Sequence, residues 1–132
     1  MAKSGTFQCS VVTPERAVLE CEAKFVALPA WDGEIGVLRN RAPLLCKLGI
    51  GPLRVETNSE NHLLFVDGGF AEMAENRLTI LTAAAKLPNE LDRDEIAADY
   101  GAAREMEIRD EESFKARQAA LQKARVQKKM VG

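Results

Sequence analysis

Hydrophobic and polar positions follow two different patterns along this chain, and the change falls near residue 88. Upstream, short β-branched or apolar runs recur between turn residues, at 7–13, 17–20, 24–28, 35–38, 53–57, 62–66, 70–74 and 78–82. Gly33, Gly36, Gly49, Gly51, Gly68 and Gly69 punctuate them, a spacing that predicts an antiparallel sandwich or barrel ending near Leu87. Asp67-Gly68-Gly69, between two of the runs, reads as a hairpin turn. All five prolines lie at or before Pro88 and seven of the nine glycines before residue 70, so helix breakers almost vanish downstream.

From Asn89 onward good helix formers dominate, and Ile96, Tyr100, Ala103 and Met106 follow one helical stripe. Phe114, Leu121 and Ala124 make a second, thinner one. Asp92 is placed to cap the first helix, with Asp94 and Glu95 in its positive first turn, and Asp110-Glu111-Glu112 marks a second start. The expectation is a mainly β protein with an α tail. Residues 1–87 form the β domain, and residues 88–132 an antiparallel two-helix hairpin with a very short connection. Gly101, inside the first helix, costs about 1 kcal/mol relative to alanine. The alanine-rich stripes bury little area, and burial contributes roughly 25 cal/mol per Å2, so the hairpin is weakly held. No proline or glycine separates Ala102 from Val131, which leaves the turn free to straighten into one helix of roughly 58 Å at 1.5 Å per residue.

Charge divides this tail sharply. Between Pro88 and Glu112 ten acidic and three basic residues give a balance of −7, whereas Ser113 to Gly132 carries six basic residues and no acid. One account is mutual neutralisation of two antiparallel helices. The other is a basic helix that can leave its acidic neighbour for an acidic surface elsewhere, at small cost because exposed ion pairs contribute only about 0–1 kcal/mol each. Over the whole chain the formal charge is −2, which exerts no general pull toward nucleic acid or anionic lipid.

The remaining composition argues against chemistry. The 132 residues suit one domain, or a small domain with an appendage, rather than separate cofactor and substrate domains. Cys9, Cys21 and Cys46 are odd in number and lack a CxxC spacing, against a disulfide framework or a zinc site; each is expected as a small buried apolar residue. No apolar stretch follows Lys3 and no run approaches the roughly 18 residues of a spanning helix, so the expected compartment is reducing and cytoplasm-like. His62, the one histidine, falls in an alternating strand pattern and reads as a surface residue. Ser10 and Ser113 lack a nucleophile elbow, the glycines form no phosphate or dinucleotide loop, and Glu34, Glu72 and Glu75 show no pairing. No catalytic residue, cofactor or metal is expected.

The segment Trp31-Asp32-Gly33-Glu34-Ile35-Gly36-Val37-Leu38-Arg39-Asn40-Arg41-Ala42-Pro43-Leu44-Leu45 resembles the GE-x-G-hydrophobic-x-x-x-H-A-P-L-L signature of the epsilon subunits of rotary F-type ATP synthases. Val11-Val12-Thr13-Pro14-Glu15-Arg16, Gly51-Pro52-Leu53-Arg54-Val55, Gly68-Gly69-Phe70-Ala71-Glu72-Met73 and Thr79-Ile80-Leu81 fall in the same order and spacing. The resemblance implies a non-catalytic β-sandwich of about ten strands that grips the gamma subunit of the central stalk and sits on the ring of c subunits. Glu34, Gly36, Asn40, Arg41, Ala42 and Pro43 would face those partners. The two-helix tail would reach the alpha and beta subunits and restrain ATP hydrolysis, with Arg117, Lys123, Arg125, Lys128 and Lys129 as its contacts. The implied location is peripheral, on the cytoplasmic face of a bacterial plasma membrane or the stromal face of a thylakoid.

Two positions depart from the family pattern. Arg41 stands where many relatives have histidine. Some relatives bind ATP through an I/L-D-x-x-R-A motif, and here Leu91-Asp92-Arg93-Asp94-Glu95-Ile96 puts Glu95 in the arginine's place, leaving Asp92 and Arg93 as the ATP candidates. The alternatives are a free-standing sandwich adaptor with an interaction hairpin, and an ATP-sensing domain whose tail closes on the nucleotide.

Overall fold

A computed structural model describes residues 5–131. The chain runs through β1 (Phe7–Val12), β2 (Ala17–Ala23), β3 (Phe25–Ala30), β4 (Gly33–Val37), β5 (Leu44–Glu56), β6 (Asn61–Ala74), β7 (Arg77–Leu81) and β8 (Ala85–Lys86). A short 3-10 turn, Pro88–Glu90, leads to α1 (Arg93–Arg104) and α2 (Glu111–Met130). The strands order β2-β1-β7-β6-β5-β3-β4, with β8 alongside β6. Every pairing is antiparallel except β1 with β7, which is parallel.

Among the described residues eight strands, rather than about ten, build the sandwich because β5 and β6 each serve both layers. They are 13 and 14 residues long and pair along their whole length. The first half of β5 and second half of β6 join β7, β1 and β2 in one layer; the other halves join β3, β4 and β8 in the second. Phe7, Val11, Leu78, Ile80 and Met73 from the first layer meet Val26, Leu28, Val37, Leu53, Val55, Leu64 and Val66 from the second in one core.

The bend between layers corrects the reading of Asp67-Gly68-Gly69 as a hairpin turn. Residues 62–66 and 70–74 do not pair with each other; both pair with β5, so the glycines bend one continuous strand. Gly68 and Gly69 take φ of 69° and 107°. A Cβ at Gly69 would overlap the Leu81 carbonyl oxygen, so only glycine lets β6 pass β7 this closely. A two-residue hairpin does follow β6: Glu75-Asn76 turns the chain into β7, with φ of 52° and 59°.

Both helix starts fall where the acidic clusters predict them. Asp92 Oδ1 accepts from the amides of Asp94 and Glu95 at 2.8 and 3.1 Å, and Asp110 Oδ1 accepts from the Ser113 amide at 2.8 Å. Met106 drops out of the first stripe because α1 ends at Arg104, and the connection occupies residues 105–110 rather than a minimal turn. Ile96 and Ala103 are buried on α1, and Leu121, Ala124 and Gln127 on α2; Phe114 is exposed. The hairpin rests on the bend of the sandwich: Gln122 Nε2 donates to the Ile50 carbonyl at 3.2 Å, and Lys123 Nζ lies 3.6 Å from Asp67 Oδ2.

Candidate functional site

Loop and turn chemistry place the signature residues. Glu34 lies near the start of β4 and the turn Asn40-Arg41-Ala42-Pro43 follows its end, with Glu34, Asn40, Ala42 and Pro43 exposed and Arg41 half-buried. Asn40 takes φ of 64°, and it is locked to the β6–β7 hairpin by a reciprocal pair: its amide donates to Asn76 Oδ1 at 2.6 Å, and Asn76 Nδ2 donates to Asn40 Oδ1 at 3.0 Å. The two loops therefore form one rigid end of the sandwich. Sequence reading singled out Asn40 without its partner 36 residues away, because cross-loop pairing leaves no local pattern. Gly36 has a packing reason of its own, since a Cβ there would sit 3.0 Å from the Phe25 ring.

A second surface has no counterpart among the predicted residues. On the outer face of the first layer, Phe70 of β6 pairs with Leu81 of β7 and Lys47 of β5, Val12 of β1 pairs with Leu81, and Leu45 lies two residues before Lys47 on the same face. The Trp31 amide donates to the Lys47 carbonyl at 3.0 Å, which brings the indole's residue to the patch edge. Trp31, Leu45, Phe70 and Leu81 are 69%, 71%, 55% and 53% exposed. Large apolar residues grouped on an open sheet face mark an interaction surface. The signal was in the sequence, because strands whose core face is already apolar carry Leu45, Phe70 and Leu81 at the opposite parity.

The tail's charges are arranged differently from simple neutralisation. Among the described residues no ion pair joins a carboxylate of α1 to a cation of α2. The helices are tied through carbonyls: Arg117 Nη2 donates to the Arg104 carbonyl at 3.2 Å, and Arg93 Nη2 to the Val131 carbonyl at 3.2 Å. Lys123 reaches the sandwich, Lys115 pairs with Glu111 on its own helix at 3.2 Å, and Lys128 and Lys129 are exposed near the end of α2.

Arg93, Tyr100, Arg125 and Lys128 line a cleft of about 410 Å3 between the helices, floored by Ile96, Ala97 and Ala124. Asp92 is engaged as a helix cap, whereas Glu95 lines a separate acidic crevice with Glu90, Asp92 and Asp99. His62 is half-buried with Nε2 3.5 Å from Glu60 Oε1, and no three potential metal ligands cluster among the described residues. Of the cysteines expected to be buried, only Cys9 is; Cys21 and Cys46 are partly exposed, Cys21 because β2 is an edge strand.

A sandwich with a helix-hairpin tail and an exposed apolar sheet face has the architecture of a docking module. Residues 6–88 match the family profile described as ATP synthase, Delta/Epsilon chain, beta-sandwich domain. The ATP synthase epsilon chain of Rhodopirellula baltica is 43% identical over 92% of this chain and 95% of its own length. That of Nitratidesulfovibrio vulgaris is 37% identical over 86% and 87%. The chain belongs to the ATP synthase epsilon chain family, and as such is a subunit of that complex but not its catalytic one.

Solved structures agree on the fold. A chain from the mitochondrial ATP synthase of Euglena gracilis, determined with OSCP, F1 and the c-ring, superposes with a TM-score of 0.86 at 20% identity, covering 100% of this chain and 85% of that one. A chain from the central stalk and c-ring of the Tetrahymena thermophila enzyme gives 0.70 at 16% identity, covering 100% of both. Among the described residues no helix is long and apolar enough to cross a membrane.

Proposed function

We propose that the chain couples the gamma subunit to the c-ring from the cytoplasmic face of the membrane, or its plastid equivalent, docking on gamma through the outer face of β5, β6 and β7. The observation that carries this reading is the exposed group Trp31, Leu45, Phe70 and Leu81. The rigid loop end, with Asn40, Arg41, Ala42 and Pro43 braced by Asn76, faces the stalk foot and ring, and Glu34 and Gly36 flank it along β4. The alpha and beta subunits are reached by α2. Phe70→Glu with Leu81→Lys should release the subunit from gamma in a pull-down while the isolated chain keeps its sheet signature. Retained binding would end the assignment of this face. Charge reversal at Glu34 and Arg41 should instead lower proton-coupled ATP synthesis with the subunit still bound.

A second reading, ATP sensing, is favoured by the interhelical cleft. Its cations Arg93, Arg125 and Lys128 converge beside Tyr100, and Glu95 lines the other crevice rather than this one. Phosphates on the three cations and a base against the tyrosine would suit an anionic nucleotide. Calorimetry with ATP should give binding that Arg125→Ala and Lys128→Ala abolish; no heat from the native chain would remove this reading. The free-standing adaptor alternative has no observation of its own here.

A further inference from the structure

The row of core-facing residues that crosses the first layer ends in two thiols. Cys21 of β2 stands directly opposite Cys9 of β1, and the row continues through Leu78, Met73 and Leu44. Opposed antiparallel residues hold their Cα atoms about 4.5–5.5 Å apart, inside the roughly 4.4–6.8 Å window of a disulfide. Side chains of opposed residues leave the same face of the sheet. Facing each other across the strand pair, the two thiols are coupled, with the Cys9 S–H able to donate toward the Cys21 sulfur. They differ in access: Cys9 is buried, while Cys21 is partly exposed on β2, the edge strand of the sheet among the described residues.

We propose that Cys9 and Cys21 form a modification site for reversible two-electron oxidation by a small-molecule disulfide, with Cys21 the attacking thiol and Cys9 the resolving one. The hydrogen bond from Cys9 holds the Cys21 thiol below its usual range, against partial burial and the Glu60 carboxylate, so the accessible sulfur is the one enriched in thiolate. The same hydrogen bond and burial push Cys9 up and keep it protonated until needed. Cys46 lies on β5, away from the pair, and burial together with Asp32 pushes its thiol up.

In the first step the Cys21 thiolate bonds to one sulfur of the reagent, the reagent's S–S bond breaks, and the released thiolate takes a proton from water. Cys9 then gives its proton to solvent and its sulfur bonds to the Cys21 sulfur. The mixed disulfide breaks and the second reagent thiolate leaves, to be protonated in turn. Two protein thiols lose two electrons and become one disulfide, and the reagent is reduced to two thiols. The product staples the edge strand β2 to β1.

The test is incubation of the full folded chain with glutathione disulfide, alkylation of remaining thiols, and peptide mass spectrometry. The expected result is a Cys9–Cys21 cross-linked peptide that a dithiol reductant reverses, with Cys46 still alkylated as a free thiol. Cys9→Ala should stop at a glutathione adduct on Cys21, and Cys21→Ala should leave Cys9 unmodified. A lasting adduct on Cys21 in the native chain, a dimer linked through Cys21, or Cys46 reacting ahead of Cys21 would each overturn the proposal. Should either alanine variant fail to fold, the native chain's peptide map decides alone.

Discussion

Single residues hold this fold in conformations that few others can adopt, and two glycines differ in a way that can be measured. Gly69, at φ 107°, has the Leu81 carbonyl where a side chain would begin, whereas Gly101 on α1 has open space there. Gly69→Ala should therefore destabilise the protein by about 3 kcal/mol or more, combining a left-handed alanine with a backbone clash. Gly101→Ala should stabilise it by up to about 1 kcal/mol. Urea unfolding of the two variants checks both, and a Gly69 variant as stable as the native chain would refute the account of the bend. The glycine pair was legible in the sequence as a backbone feature, but not as a bend. Whether two short runs pair with each other or with a third depends on a partner strand elsewhere, here β5, and no local pattern carries that information.

At the scale of elements, what the sequence shows best is whatever a few neighbouring residues decide. Both caps were legible because Asp92 and Asp110 need only the next turn of helix to bond to. The parity of Leu45, Phe70 and Leu81 was legible too, but their grouping into one apolar face was not, because it joins residues from β3–β4, β5, β6 and β7 that only the sheet register brings side by side. The fusion of predicted strands into β5 and β6 also has a mechanical consequence. Two strands that belong to both layers prevent one layer from sliding over the other. The cap of α2 yields a pH prediction. The hydrogen bond from the Ser113 amide, with the Ser113 hydroxyl group close beside it, holds the Asp110 carboxyl below the usual carboxylate range. A depressed folded value means the cap's contribution is complete above the unfolded value of about 3.9 and is lost as pH falls through the lower folded one. The Ser113 amide resonance should titrate with a midpoint below about 3.9, and Asp110→Asn should abolish that titration while the helix remains. A midpoint at or above the ordinary value would contradict the cap.

For the whole molecule, the question is what the tail's cations do when they are not neutralising α1. The second helix carries six basic residues, yet among the described residues none of them meets an α1 carboxylate in an ion pair; its ties are to carbonyls and to Asp67 of the sandwich. Exposed pairs of the Lys123–Asp67 kind contribute only about 0–1 kcal/mol, and the hairpin's buried residues are few: Ile96, Ala103, Leu121, Ala124 and Gln127. A denser acidic surface on a neighbouring subunit could therefore capture α2 at small cost, straightening residues 105–110 as it leaves. If such capture restrains hydrolysis, replacing Arg117, Lys123, Arg125, Lys128 and Lys129 with alanine should raise the ATPase rate of the assembled enzyme. Truncation after Leu87 should raise it as far or further, with the sandwich still folded and bound to gamma. Raising salt should move the native enzyme toward the alanine variant, because exposed charges are screened beyond about 8–10 Å at physiological ionic strength, and should leave the truncated enzyme unchanged. Self-neutralisation alone gives another pattern: the alanine variant would have a less stable tail and an unaltered hydrolysis rate. Equal rates for the native, alanine and truncated enzymes, with the subunit confirmed in each complex, would rule out restraint by α2 and leave the basic helix as an arm folded against the sandwich.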